Sequence, residues 1–456
     1  MGETALSIAN SMNTSLRFTF AIVLFLFVLG CVAFTINEKN QSDFNLQQIG
    51  VESLVSRHTF ALEGSSVPQL QPLGDTFHFQ GHVYAIKQPG QFVLGAMVYS
   101  LLDFVGITYE RAYGETASLV TLLTSGVLLA AIAVALYLVS QKVTHSHSYS
   151  SVIALMGSLG TLLFPYAGVA HHDVQATALI FISWTILFYI HKRKDVGVWA
   201  WVVAGLLLGF SLFISMLPLV VVLSICIGVL IQRDRHTLLP FVVGTALGVL
   251  PVFGFNAVLF GGPLAFPNSI SGTTDTTSFL SASNMFEKLD FYLFSPTNSL
   301  FLFAPILLLA CIGFFFLKRE QRSIVTTTML VSFGHLLYIS SIETVGHAQY
   351  GPRYLLPVLP FLALGLIGLY SAPRFLRFLA VLAGAISILI MTMGALGGVM
   401  YQTLWIHPFP QYLESFLNGT MPENPLRYLG VILIVGSIVV LLADQLYQRK
   451  EGLRIK

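Results

Sequence analysis

The chain has 456 residues, of which 55% are hydrophobic and only 10% are charged, and its mean hydropathy is +0.78. A soluble domain carries about 25% charged residues, so this composition excludes one and predicts a polytopic membrane protein. The net charge of +2 offers no broad basic surface, and no nucleic-acid partner is expected. The three cysteines lie in apolar runs without the spacing of metal ligands.

The apolar runs predict an all-α fold, a bundle of about 12 transmembrane helices. The run 91–108 is shorter and interrupted by glycine, so we expect it to form a re-entrant or interfacial helix. The first run lacks a small-residue cleavage site and is expected to be a retained helix rather than a signal peptide. The predicted spans lie near residues 17–36, 115–140, 149–166, 173–190, 197–214, 217–231, 238–260, 298–317, 323–341, 354–371, 377–402 and 428–446.

The basic residues predict the orientation of the bundle. With both termini in the cytoplasm, about 16 of the 23 Lys and Arg residues fall on the inner side, as the positive-inside rule requires. A full span at 91–108 would move every later basic loop outward, which is a second reason to expect that this run does not cross. The larger polar segments, among them the loop 37–114, are then extracytoplasmic.

Asp43 is the first residue in this loop with a candidate chemical role. It opens a predicted amphipathic helix whose apolar positions, from Leu46 to Val55, fall mostly on one face. Either Ser42 or Asp43 caps this helix, or Asp43 is a catalytic base; one carboxylate can serve both purposes.

Two cations lie on the same predicted face as Asp43. Lys87, in Y-A-I-K-Q-P-G, is either a snorkelling interfacial lysine or a clamp for a lipid phosphate. Arg353, in G-P-R-Y-L-L-P, lies at the mouth of a helix, and a guanidinium near lipid costs about 2.5–3.5 kcal/mol at the bilayer midplane. It therefore needs an anionic partner, either a carboxylate such as Glu343 or a substrate phosphate held by two parallel hydrogen bonds.

The dipeptide His171-His172 precedes Asp173, which is well placed to cap the next helix. Adjacent histidines on a helix point in different directions, so a substrate hydrogen bond from one of them is the better interpretation than a metal site. Outer-loop carboxylates such as Glu38 and Asp75 leave a divalent metal open, but no spacing assigns a cofactor.

One carboxylate and two cations on one face suit sugar transfer from a lipid-linked sugar phosphate. The carboxylate would deprotonate an attacking hydroxyl, a contribution of about 10²–10⁴-fold in rate. The cations would neutralise the departing phosphate. P-loop, G-x-S-x-G and H-E-x-x-H motifs are absent from the sequence, so NTP, serine and zincin hydrolysis lack support.

At these residues the chain resembles the membrane-embedded glycosyltransferases of the C superfamily, in the family-39-like group that uses polyprenyl-phosphate sugars. Individually weak motifs occur in the same order. They are the loop around Asp43, G-x-x-Y-x-x-K-x-P-G at 81–90, G-T-x-x-F-P-Y-A at 160–167 followed by His172, N-x-x-x-F-G-x-P at 256–263, S-P at 295–296 followed by L-F at 300–301 and Pro305, and G-P-R-Y-L-L-P-V-L-P at 351–360.

The resemblance implies a multispanning bundle with juxtamembrane helices over a cavity, and an enzyme that inverts the sugar configuration. It implies that Asp43 is the catalytic carboxylate and that Lys87 and Arg353 hold the donor phosphate. The further substrate-binding residues predicted in these motifs are Tyr84, His172 and Tyr350. The expected partners are the bilayer, a polyprenyl-phosphate sugar and a glycan, lipid or protein acceptor.

The motifs predict a catalytic module at 1–371 and C-terminal helices of unassigned role at 372–456. Phe44 and Gln47 depart from the family pattern, which carries an acidic and a basic residue there, and this leaves the sugar and the acceptor open. Two other hypotheses are a transporter or flippase of lipid-linked sugars and a catalytically silent assembly partner.

Overall fold

A computed structural model describes residues 2–71, 74–191, 196–232, 235–271, 284–342, 346, 349–400 and 407–454. The described chain is almost entirely helical, which confirms the predicted all-α membrane bundle. The N-terminal half comprises α1 (Gly2–Thr35), α2 (Glu38–Asp43), α3 (Asn45–Ser56), β1 (Thr76–Phe79), β2 (His82–Ala85), α4 (Gly90–Phe104), α5 (Tyr113–Thr121), α6 (Val127–Thr144), α7 (His147–Leu159), α8 (Leu163–Ala167), α9 (His172–Ile190) and α10 (Val198–Ile214).

The second half continues the bundle, with 3₁₀ turns between several helices. A π-helical turn, Leu122–Gly126, joins α5 to α6 in the first half. The helices are α11 (Leu219–Gln232), α12 (Arg235–Phe260), α13 (Pro267–Ile270), α14 (Met285–Leu293), α15 (Leu300–Phe303), α16 (Ile306–Gly313), α17 (Arg322–Ser341), α18 (Leu359–Ala363), α19 (Arg374–Gly397), α20 (Phe409–Leu417) and α21 (Arg427–Arg454).

Each predicted apolar segment coincides with one helix or a run of short ones. By length and composition, eight stretches of the described chain could cross a membrane, and shorter apolar helices, α10, α11 and the region of α16, account for other predicted spans. The predicted span 149–166 is split into α7 and α8 by a break at Gly160. The run 91–108 forms the 15-residue α4, too short for a confident span.

Glycines let α10 and α12 pack backbone to backbone. A Cβ atom at Gly205 would lie 2.2 Å from the Phe241 carbonyl oxygen, and one at Gly244 would lie 2.1 Å from the Val202 carbonyl oxygen. Small residues one turn apart allow this approach, which drives helix association where lipid removes the hydrophobic effect. The α10–α12 pair therefore has a rigid spacing.

Substituting Gly244→Leu should push α10 and α12 apart and lower the thermal midpoint by several degrees, since overpacking costs about 1–3 kcal/mol. The matched control is Gly254→Leu on the same helix, where a Cβ meets no atom within 4 Å. Thermal unfolding in detergent measures both variants. Equal midpoints would contradict the close packing.

The polar loop 37–114 contributes to a hydrophobic core of its own. Ile49 and Val51 of α3 pack with Phe92 and Tyr99 of α4 in a second buried cluster, separate from the main core. The prediction of a one-sided amphipathic α3 is wrong, because its polar residues are buried as well. Gln48, for example, donates to the Thr121 hydroxyl at 3.2 Å and ties the loop to the bundle.

Candidate active site

The short helix α2 is fixed to the C-terminal part of the bundle by two buried asparagines. Asn37 caps α2 by accepting the Asn40 N–H at 2.9 Å, and its own amide donates to the Ala395 carbonyl at 2.9 Å. Asn40 Oδ1 accepts the Val399 N–H at 3.0 Å. Satisfied buried bonds of this kind fix the position of the helix.

Asp43 is the last residue of α2 and does not open α3. The predicted cap is therefore wrong: α3 begins after Phe44, and no side chain caps it. The Asp43 carboxylate pairs with Lys39 at 2.5 Å and is 31% exposed. The Phe44 ring, one residue after Asp43, lies 5.8 Å from the His171 ring, so the end of α2 adjoins the histidine pair.

The hairpin β1–β2 positions Lys87. Its turn contains Gly81 at φ 86°, a conformation that suits glycine. Antiparallel pairing brings the two ends of the hairpin together, and the Ile86 N–H donates to the Asp75 carbonyl at 2.8 Å. Lys87 Nζ then lies 3.2 Å from the Asp75 carboxylate, so Lys87 pairs with Asp75 and not with Asp43.

Arg353 starts a 3₁₀ helix, Arg353–Val358, and lies beside the histidines. Its Nη1 is 3.3 Å from His171 Nε2, and its guanidinium carbon is 5.1 Å from the centre of the Tyr354 ring. The Arg353 Nε atom is buried and has no hydrogen-bond partner in the described chain. Glu343, the carboxylate considered from the sequence, lies outside the described residues.

Lys87 and Arg353 act on the same carboxylate from distant parts of the chain. Burial raises the pKa of Asp75, but Lys87, followed by Arg353 and His172, outweighs it and holds the pKa below its ordinary value. Because Coulomb interactions weaken with distance, these four side chains constitute one charge cluster. The structure thus brings together Lys87, His172 and Arg353, which the sequence analysis predicted as site residues from three separate motifs.

Asp173 is buried at the centre of the histidine group. Its Oδ1 lies 3.4 Å from His172 Nε2 and accepts the Ser215 hydroxyl at 2.7 Å, while Oδ2 is 3.7 Å from His171 Nδ1. His171, and not Asp173 as predicted, caps α9: its Nδ1 accepts the Asp173 N–H at 3.3 Å. Asp173 therefore orients both imidazoles.

The same three residues could hold a metal ion. Their potential ligand atoms lie within 4.8 Å of one another, and two imidazoles with a carboxylate form a set that zinc accepts. The prediction that the histidines diverge is wrong, because their rings stack with centroids 4.6 Å apart. Burial, with His172 and then Arg353 and Lys87, holds the pKa of His171 well below its usual value. Of the charged neighbours, Arg353 and Lys87 oppose a divalent cation at this site, whereas the Asp173 carboxylate favours one.

The two predicted tyrosines have supporting contacts. Tyr84 faces Phe77 in the hairpin and packs edge-on at 5.5 Å against Phe260, at the end of α12. Tyr350 is buried, its hydroxyl donates to the Ile390 carbonyl at 2.6 Å, and its N–H donates to Val399 at 2.8 Å. The Val399 N–H also donates to Asn40 of α2, so Val399 and Tyr350 link the Arg353 segment to α2. Roles in substrate binding stay predictions for both.

Asp75 is the residue whose role the sequence reasoning missed. The alternation in T-F-H-F-Q-G-H-V-Y-A, with a Q-G turn at its centre, is the signature of a hairpin. Recognising that hairpin over 76–85 would have placed Asp75 opposite Ile86, next to Lys87.

No family model matches the chain, and no curated protein matches it by sequence. The polytopic helical fold of this chain also occurs in solved membrane-protein structures, and this confirms the resemblance at the level of the fold. One structure that shares this fold is ArnT from Cupriavidus metallidurans in the apo state, with a TM-score of 0.52 and 14% identity over 97% of this chain and 73% of that one. A structure of the same ArnT bound to undecaprenyl phosphate gives a TM-score of 0.46 and 13% identity over 94% and 77%.

The Asp75–Lys87 pair should make stability depend on pH. Since the pKa of Asp75 is lowered in the fold, its contribution is present above the unfolded value of about 3.9 and is lost as pH falls through the folded pKa. Asp75→Asn should lower the thermal midpoint slightly near pH 7, because the carboxylate is 61% exposed and screened, and should have no effect at lower pH. The control is Asp103→Asn, an exposed acid without an ion pair among the described residues. A midpoint difference that grows as pH falls would contradict the pairing.

Proposed function

We propose that the protein is a glycosyltransferase that moves a sugar from a polyprenyl-phosphate donor to a hydroxyl acceptor at the membrane surface. The observation that carries the proposal is the buried Nε of Arg353, which lacks a partner in the described chain and belongs to a cation whose charge, like that of Lys87, acts on Asp75. The shared fold and the ordered motifs support the same class of enzyme.

The phosphate of the donor would take the place between the two cations. It would complete the hydrogen bonds of the Arg353 guanidinium and draw Lys87 away from Asp75, which now holds it at 3.2 Å. His172, whose buried Nδ1 has no partner among the described residues, would bind the same ligand. Charge-assisted bonds to a leaving phosphate strengthen as negative charge develops on it, which lowers the barrier.

Asp43 would act as the general base. Its carboxylate takes the proton of the acceptor hydroxyl, whose oxygen forms a bond to the anomeric carbon from the face opposite the phosphate. The bond from that carbon to the phosphate oxygen breaks, and its electron pair leaves with the polyprenyl phosphate. The exposure of Asp43 lets an acceptor approach from water, and Lys39 keeps the carboxylate oriented. Such a displacement inverts the sugar configuration.

Replacing Lys87 or Arg353 by alanine should weaken binding of a short-chain polyprenyl phosphate by about 10- to 100-fold, the value of a charge-assisted hydrogen bond. The measurement is a binding titration with purified protein in detergent. Arg111→Ala, an exposed arginine in the same polar loop, is the matched control. Unchanged affinity in both variants, with the wild type binding the lipid, would contradict the phosphate site.

Asp43→Asn should reduce transfer by about 10²–10⁴-fold, because an amide cannot accept the hydroxyl proton. Binding of polyprenyl phosphate and the thermal midpoint should stay close to those of the wild type, since the carboxylate is partly exposed and its ion pair with Lys39 is a surface pair. A radiolabelled donor with a panel of membrane acceptors measures transfer. Retained transfer would rule out Asp43 as the base.

Movement of the lipid-linked sugar across a vesicle membrane, without transfer by the wild-type protein, would favour a transporter instead.

A further inference from the structure

Three buried glutamines surround the start of α4. Gln47 is 5% exposed, Gln88 is 8% and Gln91 is 3%. The Oε1 atoms of Gln47 and Gln88, and both amide atoms of Gln91, have no hydrogen-bond partner in the described chain. Leaving such an atom buried and unbonded costs on the order of 1–3 kcal/mol, so a ligand or water is needed to account for them.

Helix packing indicates that these glutamines lie together. A Cβ atom at Gly50 would lie 2.5 Å from the Phe92 ring, and one at Gly95 would lie 2.3 Å from Val51 Cγ2. Gly50 of α3 meets Phe92 of α4, and the later residue Val51 meets the later residue Gly95. The two helices therefore run in the same direction.

One helical turn before this contact, each helix carries a glutamine on the face that packs against the other helix. Gln47 is four residues before Val51, and Gln91 is four residues before Gly95; residues at this spacing share a helix face. The parallel packing therefore places Gln91 near the level of Gln47, and Gln88 lies two residues before α4 begins, at the same end. Gln88 directly follows Lys87, which joins the amides to the charge cluster.

The other side of α4 leads to the same cluster. A Cβ atom at Gly90 would lie 2.5 Å from the Phe213 carbonyl oxygen, so α4 begins against the end of α10. Two residues later Ser215 donates to Asp173 at 2.7 Å. The glutamines thus border the charge cluster from the side of the polar loop.

We propose that Gln47, Gln88 and Gln91 form a subsite for the sugar of the donor, and that this sugar is uncharged and bears hydroxyl groups. This inference rests on the proposed function and adds the class of sugar. Each amide offers two donors and an acceptor, and a sugar hydroxyl both donates and accepts.

The three amides that line the subsite carry no charge and favour a neutral ligand. The acid that follows on α3, Glu52, is already paired with Arg57 at 2.9 Å. A sugar that carries an ammonium or a carboxylate would lose its hydration there without gaining a free counter-charge from the three amides, which is costly. Hydroxyl groups face no such penalty.

The test compares three short-chain polyprenyl phosphates: one without a sugar, one with a neutral hexose and one with an amino sugar. Gln47→Met and Gln91→Met preserve the length of the side chain and remove its hydrogen bonds. Each should weaken binding of the hexose lipid about 10-fold, or about 1.4 kcal/mol, and leave binding of the sugar-free lipid unchanged. Without ligand, the variants should melt at the same temperature as wild type or higher, because an unbonded polar group is gone. Gln141→Met, at a buried glutamine on α6, is the control.

The outcomes separate this inference from the function on which it rests. If wild type binds the sugar-free lipid and the hexose lipid equally, or if the glutamine variants weaken both alike, the subsite is wrong while the phosphate site stands. Tighter binding of the amino-sugar lipid overturns the uncharged class. If wild type binds none of the three lipids, the proposed function fails and the subsite fails with it.

Discussion

Positive charge held at the edge of an apolar bundle is the constraint on which this structure depends. Lys87 and Arg353 are neutralised only in part: Asp75 reaches Lys87 at 3.2 Å, while Arg353 has an imidazole beside it and an Nε without a partner in the described chain. Where few charges can be tolerated, these two cations and the carboxylates of Asp75 and Asp173 create one local field. The hairpin, the start of α9 and the segment after α17 must all be held in place for that field to exist.

The packing of the bundle meets this requirement at several points. Backbone contact between α10 and α12 fixes the end of α10, where Ser215 holds Asp173. The Val399 N–H donates to Asn40 and the Val399 carbonyl accepts from Tyr350, so α2 and the Arg353 segment have a common support. These contacts join loop and bundle through hydrogen bonds and close packing, which position side chains more narrowly than hydrophobic burial does. The polar loop is therefore part of the folded core.

Hydropathy predicted the helices well because a span needs a long apolar run whatever its neighbours are. The site was only partly predictable. Lys87, His172 and Arg353 stand out as polar groups at the ends of apolar runs, and the structure unites them. The break at Phe44 and the stacked histidines depend on tertiary contacts, which local sequence signals do not specify. The Asp75–Lys87 pair follows instead from a short hairpin whose sequence signature is present at 76–85.

Some of the buried polar atoms that lack a partner in the described chain lie where the proposed ligand would need them. Arg353 Nε and His172 Nδ1 border the proposed phosphate position, and the amide of Gln91 borders the proposed sugar subsite. Each atom lowers the stability of the unliganded protein, and each would form its bond when the donor enters. A site organised in this way gains affinity because the protein has already desolvated and oriented the groups. The packing of the bundle stabilises the protein and offsets the free-energy cost of leaving these polar groups unbonded before the ligand enters. Such a cost is expected where a residue serves binding rather than folding.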